Sequence, residues 1–368
     1  MANACSSGRP RIRIRIATVL VAVGLGGCGP VGAIPLGGQA EAAAFGGAAP
    51  AYPAVAGPPI AVGDDRVTVL PRGTVAFPVI HDLIAGAAQR VDVEMYELAR
   101  PELVAALIDA RRRGIAVTVV VDPTVVATAV TSMRLRAAGV DVVDYPVRKQ
   151  MIDHVKLLVV DSDVAVVGGI NWNVTSARHH DFDALVRGPA AVNLERVLLR
   201  DLVTCGRAVT IPDALPDPAI LIAATLPSSD IRPLAVQLIE EARSSLDLEL
   251  YVLTDAGIVH ALERASRRGV RVRVLLDRTQ RPSDASAADL RAAAVPVRLY
   301  RGRGELLHAK VGVADARRVL FGSANWTISG FEHNHELDVE ILDSTGVAAG
   351  FRAAMEADWA RATESGPP

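Results

Sequence analysis

Two kinds of apolar pattern alternate along most of the chain. Val91-Asp-Val-Glu-Met-Tyr96 alternates apolar and polar side chains, and the stretch to Leu98 predicts a strand. Pro101 to Arg113 places Leu103, Ala106, Leu107 and Ala110 at helical spacing, and Gly114 predicts the helix end. Ile115 to Val121 is a nearly continuous apolar run, the pattern of a strand buried on both faces. A second helix and a second strand, near Val140 to Tyr145, follow. Strands alternating with helices in this order predict an α/β fold with a largely parallel sheet flanked by helices. The Arg111-Arg112-Arg113 run reads as a solvated helix end that complements the helix dipole, and Cys205 and His260 read as ordinary positions.

The pattern occurs twice. Val91-Asp-Val-Glu-Met-Tyr96 returns as Leu246-Asp-Leu-Glu-Leu-Tyr251, Arg112-Arg113-Gly114 as Arg267-Arg268-Gly269, and Leu135-Arg-Ala-Ala-Gly-Val140 as Leu290-Arg-Ala-Ala-Ala-Val295, each 155 residues on. One register held across all three predicts a tandem duplication of a domain-sized unit, far longer than a solenoid repeat. The two halves are placed at residues 63–215 and 216–368.

Composition adds constraints. Half of the 368 residues are apolar, enough for a large core and incompatible with global disorder. The three cysteines, Cys5, Cys28 and Cys205, exclude a disulfide framework and a cysteine-rich zinc site. Residues 1–28 read as a signal peptide: Arg9, Arg11, Arg13 and Arg15 form a basic head, and Ile16 to Gly27 an apolar run too short to span a bilayer. Leu25-Gly26-Gly27-Cys28 resembles a bacterial lipobox, which implies lipidation of Cys28; a cut near Ala42-Ala43-Ala44 is the rival. Residues 29–62, rich in Gly, Ala and Pro, read as a flexible linker. The expected location is the outer face of a bacterial cell membrane by a lipid anchor, or secretion. The 39 basic and 41 acidic residues give a formal charge of −2; cleavage before Cys28 removes four arginines and no acid, leaving −6. That balance suits a polyphosphate backbone poorly.

Arginine supplies nearly all the positive charge, for the only lysines are Lys149, Lys156 and Lys310. Two of these fall in one motif, H-x-K-x-x-x-x-D, running from His154-Val-Lys156 to Asp161 and from His308-Ala-Lys310 to Asp315. Downstream come Gly168-Gly169-Ile170-Asn171 and Gly322-Ser323-Ala324-Asn325, followed by Trp172 and Trp326. His and Lys two apart on a strand share a face. Asp161-Ser162-Asp163 is turn chemistry, so the strand doubles back as a hairpin that sets Lys156 near Gly168 and brings Asn171 beside the His/Lys face. If the halves pack as a pseudo-dimer, two His, two Lys and two Asn converge.

Lysines and amides suit a phosphate diester. One neutral imidazole can attack phosphorus, and a second, protonated, can give its proton to the leaving oxygen. The lysines stand in for a metal as charge clamp, so neither metal nor cofactor is expected. Each histidine needs an orienter on its other ring nitrogen, and Glu336, with Asp181 as its first-half counterpart, fits. Asp183 and Asp338 read as surface or core-hydrogen-bonded aspartates. His179, His180, His333 and His335 read as lining the site entrance rather than as a metal cluster.

The duplicated motif with its trailing G-S-x-N resembles the signature of the phospholipase D superfamily, over roughly residues 66 to 360. The resemblance implies a two-lobed, pseudo-symmetric α/β fold with the active site at the lobe interface. It implies a covalent phosphohistidine intermediate, released by water or an alcohol. His154 and His308 would be nucleophile and general acid, with His154 favoured as nucleophile. Lys156, Lys310, Asn171, Asn325 and Ser323 would hold the phosphate, and Gly169 departs from the pattern, which removes the serine contact from the first half. Asp161 and Asp315 are expected to hold the hairpin turns. The expected function is cleavage of phospholipid to phosphatidic acid by a monomer, since the duplication already supplies the pairing. The alternatives are a nuclease of the same fold, with Arg298, Arg301 and Arg303 as its basic patch, and a non-catalytic binding lipoprotein. The pattern shows no evident interfacial amphipathic helix.

Overall fold

The computed structural model describes residues 55–364. Cys28, the expected signal peptide and most of the expected linker lie outside the described residues. Two sheets form the frame. The first runs, in spatial order, β1 (Ile60–Val62), β2 (Asp65–Pro71), β8 (Phe182–Arg187), β7 (Val164–Gly168), β6 (Lys156–Val160), β3 (Arg90–Met95), β4 (Ala116–Val121) and β5 (Asp141–Asp144). The second runs β12 (Val297–Tyr300), β11 (Arg271–Asp277), β10 (Ser245–Leu250), β13 (Lys310–Ala314), β14 (Arg318–Gly322), β15 (Leu337–Ile341) and β9 (Ile220–Ala224). With β1 set aside, the two orders match strand for strand. Flanking them are α1 (Gly73–Gly86), α2 (Pro101–Arg112), α3 (Val126–Ala137), α4 (Pro189–Thr204), α5 (Ile231–Glu241), α6 (Ala256–Arg267), α7 (Asp284–Ala292) and α8 (Thr345–Arg361).

The α/β class is observed; the largely parallel pairing is not. Parallel pairs are confined to β3-β4-β5 and β10-β11-β12, which the crossover helices α2, α3, α6 and α7 connect. The remaining neighbours are antiparallel. β6 and β7 are wholly buried hairpin strands, so their unbroken apolar runs mark two covered faces rather than parallel pairing. The expected linker 29–62 also ends differently, because Ile60–Val62 pairs with β2 as an edge strand. Gly114 and Gly269 do end α2 and α6, in the left-handed region at φ 91° and 90°.

Burial comes in layers. α1 and α2 cover the outer face of the first sheet around Val91, Val93 and Leu107. α5 and α6 cover the second around Leu238, Leu248 and Leu262. The inner faces share one core with α4 and α8. Phe351 of α8 stands between the sheets, with ring centroids 5.0 Å from Phe182 and 4.9 Å from Phe321. The halves therefore share apolar burial, which holds the lobe interface shut. Among the described residues no helix is long and apolar enough to cross a membrane.

Candidate active site

Each H-x-K-x-x-x-x-D segment is one arm of a hairpin. Leu157 faces Val167 in the first, the register that sets Lys156 across from Gly168. Asp161 and Ser162 have φ of 53° and 56°, and Asp315 and Ala316 of 52° and 55°, so both turns are left-handed at their two central residues, the twist that suits a tight hairpin. The aspartates hold this backbone in place. Asp161 accepts from the N–H groups of Ala88, Gln89 and Arg90 at 2.8, 2.7 and 2.8 Å. Asp315 accepts from those of Arg243, Ser244 and Ser245 at 3.0, 2.7 and 3.0 Å. Burial alone would raise the Asp315 carboxyl; the backbone donors bring it to about 2. Both aspartates thus tie the hairpin to the start of the neighbouring strand.

The histidines meet at the seam. His154 Nδ1 is 2.8 Å from Glu336 Oε2, and His308 Nδ1 is 2.6 Å from Asp181 Oδ2. Both expected orienters are present, but crossed: each carboxylate serves the histidine of the other half. The backbone crosses too, His154 N donating to His335 O at 2.8 Å and His308 N to His180 O at 2.7 Å. Tyr96 and Tyr251 lie against the two imidazoles, at centroid separations of 4.8 and 4.7 Å. The ammonium groups of Lys156 and Lys310 sit 5.1 and 5.3 Å from the same tyrosine rings. Sequence reasoning had not assigned these tyrosines to the site, although their shared offset was the signal.

The glycine positions explain why the two copies differ. A Cβ on Gly169 would fall 2.3 Å from Asp181 Oδ1. At the equivalent place Ser323, fully buried, donates to Glu336 Oε2 at 2.6 Å and accepts from Leu337 N at 2.9 Å. Ser323 is therefore not placed as a phosphate ligand; its hydroxyl positions Glu336. Glycine goes with the shorter aspartate and serine with the longer glutamate. Asn171 and Asn325 flank the site, and the side-chain oxygen of each is buried without a hydrogen-bond partner among the described residues. Asp183 and Asp338 are core residues, accepting from Ile170 N at 3.1 Å and Ala324 N at 3.0 Å.

The other histidines do not all line an entrance. His179 lies at the site, its centroid 6.3 Å from that of His308. His180 and His335 are buried at 1% and 0% exposure. They precede Asp181 and Glu336 on extended backbone, so their side chains point the opposite way. His333 is exposed. The expected basic patch is divided, because Arg298 packs on the Trp359 ring at 4.7 Å and donates to its carbonyl, while Arg301 and Arg303 are exposed.

Burial and mutual repulsion set the charges. Burial, then Lys156 and Lys310, hold the His154 imidazole well below its ordinary range. Burial and Lys310 bring His308 down to about 3. Burial lowers Lys156 to about 7 and Lys310 to about 8. The carboxylates diverge. Burial lifts Glu336 to about 7, whereas Lys310 and His308 outweigh burial at Asp181 and hold it below the usual range.

One hairpin used twice, with its acid–imidazole pairs exchanged between two like sheets, is the architecture of the phospholipase D superfamily. The chain belongs to the family described as "Cardiolipin synthase, PLD-like domain", which matches residues 80–195 and 235–359, one stretch in each half. A mitochondrial cardiolipin hydrolase of Xenopus laevis is 32% identical over 164 residues, covering 44% of this chain and 77% of that protein. A cardiolipin synthase of Geobacillus kaustophilus (strain HTA426) is 27% identical over 337 residues, covering 79% of this chain and 66% of that protein. A phosphatidylserine synthase of Haemophilus influenzae Rd KW20 has the same fold, with a TM-score of 0.64 at 13% identity over 84% of this chain and 89% of that one.

Proposed function

We propose that this protein cleaves phospholipid phosphodiesters through a covalent phosphohistidine. The crossed His–carboxylate pairs carry the reading, since they put two oriented imidazoles and two lysines in one site. His154 Nε2 attacks phosphorus; the P–N bond forms as the P–O bond to the leaving group breaks, and that oxygen takes the proton of His308 Nε2. His308, now neutral, takes a proton from water or an alcohol, whose oxygen attacks phosphorus and breaks the P–N bond. Lys156, Lys310, Asn171 and Asn325 hold the non-bridging oxygens as charge develops. The carboxylates support this order. An ionised Asp181 favours an imidazolium on His308, whereas Glu336, lifted to about 7, favours a neutral His154. An anionic diester between the imidazoles raises both, which supplies His308 with its proton.

Exposed aliphatic side chains favour lipid over nucleic acid. Val174 and Ile328, each three residues past a site asparagine, are 64% and 53% exposed. α3 adds an outward stripe of Val126, Val130 and Met133, and reaches the site through Thr128, whose Oγ1 donates to Tyr96 O at 2.9 Å. Such a surface suits acyl chains; a polyphosphate wants a basic rim. The relatives named for cardiolipin point the same way. Export with lipidation at Cys28 would hold a monomer against its substrate.

The test offers the full chain phosphatidylglycerol and cardiolipin vesicles beside single-stranded DNA and RNA. Release of phosphatidic acid is expected, lost in His154→Ala and in His308→Ala. A Val126→Ser/Val130→Ser/Met133→Ser variant should lose vesicle turnover at least tenfold and keep turnover of a soluble diester, a ~1.4 kcal/mol effect per decade. Cut nucleic acid with intact lipid would overturn the lipid reading, and no turnover of either would overturn the enzyme reading.

A further inference from the structure

Behind His154 the halves enclose a second cluster that the phosphodiester chemistry does not use. Glu94 of β3, Asp153 and His335 are each 0% exposed, and Asp201 of α4 is 5% exposed. One ligand atom from each of Glu94, Asp153 and His335 lies within 4.8 Å of the others. His335 Nε2 is 3.1 Å from Asp201 Oδ2 and 3.7 Å from Glu94 Oε1, but neither contact has hydrogen-bond geometry. Both Glu94 oxygens, one oxygen each of Asp153 and Asp201, and both ring nitrogens of His335 are buried with no hydrogen-bond partner among the described residues. Tyr145 stacks on the His335 ring at 5.0 Å and 10°, which fixes the direction of its nitrogens. Buried carboxylates are costly, and a single imidazole in contact with Asp201 does not balance the three gathered here.

The duplication supplies an internal control. The related cluster in the other half is Glu249, Tyr300, Asp358 and His180, in which Glu249, like Glu94, keeps both oxygens buried without a hydrogen-bond partner among the described residues, so the contrast lies in the other members. There His180 Nδ1 pairs with Asp358, and its Nε2 lies 2.8 Å from Tyr300 Oη and 2.7 Å from Arg72 Nη2. Arg72 also reaches Glu305 at 3.6 Å. Backbone register relates Arg72 to Thr225, for Arg72 N donates to Asp181 O and Thr225 N to Glu336 O. It relates Asp153 to Leu307 likewise, since their N–H groups donate to Asp122 and Asp277. So one cluster has an arginine where the other has a neutral threonine, and a leucine where the other has an aspartate. No lysine or arginine among the described residues makes an ion pair with Glu94, Asp153 or Asp201.

We propose that Glu94, Asp153, Asp201 and His335 bind a divalent transition-metal ion that takes the place of the missing arginine. One imidazole with carboxylate oxygens suits Zn²⁺ or Mn²⁺. The ion would act by position. Asp153 precedes His154 and His335 precedes Glu336, and His154 N donates to His335 O, and His335 N to Ile152 O, both at 2.8 Å. A metal bridging Asp153 and His335 thus fastens the nucleophile's strand to the strand carrying its orienter. The proposal does not depend on which phosphodiester is cleaved.

The full chain, purified without chelator, is expected to carry one Zn²⁺ or Mn²⁺ per molecule by inductively coupled plasma mass spectrometry. Glu94→Gln and Asp153→Asn should each lower that content at least tenfold. Added ZnCl₂ or MnCl₂ should raise the Tm of metal-stripped wild type by roughly 4 °C or more, and of neither variant. The rival is a set of carboxyls kept neutral by shared protons, which predicts no bound metal and no Tm response to either ion. Metal below a tenth of an equivalent with no Tm response to either ion would overturn the site, as would full metal content in both variants. Should the variants fail to fold, wild-type content and its Tm response to the two ions decide alone.

Discussion

Gly169→Ser puts a side chain where the first half has none. The new Cβ would sit 2.3 Å from Asp181 Oδ1, below the 3.0 Å that Cβ contacts tolerate, and 3.0 Å from its Cγ, at that limit. Oδ1 also accepts from Phe182 N at 2.9 Å, so the carboxylate must shift by the shortfall, ~0.7 Å, and that shift disturbs the 2.6 Å contact of Oδ2 with His308 Nδ1. A displacement near 1 Å in a catalytic pair costs about 100-fold in kcat. The assay is turnover of a soluble diester such as bis(p-nitrophenyl) phosphate, with KM little changed because the lysines and asparagines are untouched. The double variant Gly169→Ser/Asp181→Glu copies the Ser323–Glu336 arrangement into the first half and should recover at least tenfold, a coupling of ~1.4 kcal/mol. Wild-type kcat in Gly169→Ser, or a double variant no better than the single, would refute the reasoning.

Other expectations follow from the same structure. Lys156 at about 7 and Lys310 at about 8 lose their protons on the alkaline side, so kcat/KM of the free enzyme should fall above pH 7, by up to ~10-fold per unit, and above pH 8 by up to ~100-fold per unit if both matter; a flat profile to pH 9 would exclude them as the charge clamp. Asp315→Asn should cost ~1–3 kcal/mol by urea unfolding, since three backbone N–H groups lose a charged acceptor. Its folded carboxyl lies below the unfolded value of 3.8, so this contribution is present above about pH 4 and is lost as pH falls toward 2; the difference between wild type and variant should shrink accordingly. Phe351→Ala should destabilise by ~3–5 kcal/mol in thermal or urea unfolding, because its ring, 0% exposed, fills the space between the sheets.

Much of this was legible because it is local. The hairpins, their structural aspartates, the shared His/Lys face and the two orienters follow from spacing within a few tens of residues, and duplication doubled each signal. What spacing could not give was exchange. Two like halves look the same in sequence whether Glu336 turns to His308 or to His154, and only packing decides. The hydroxyl of Ser323 was misassigned for a related reason: its neighbour across the strand, not the motif, sets what it bonds. His335 looked like an entrance residue because the sequence shows polarity but not which face an extended segment turns inward. The parallel sheet is over-extended because the alternation of strands with helices holds only over β3-β4-β5 and β10-β11-β12, while the strands that follow return as hairpins.

The exchange of carboxylates makes the two copies inseparable. Residues 63–215 on their own would hold His154 without Glu336, and Asp181 with no imidazole to orient. An opening of the seam by an ångström would break both acid–imidazole pairs at once, leaving no half-active state between whole and silent. Change in one copy is also tested through the other: the glycine that suits Asp181 is judged by how His308 performs, and the serine beneath Glu336 by how His154 does. A duplicated gene usually frees one copy to wander; here each copy is the other's constraint.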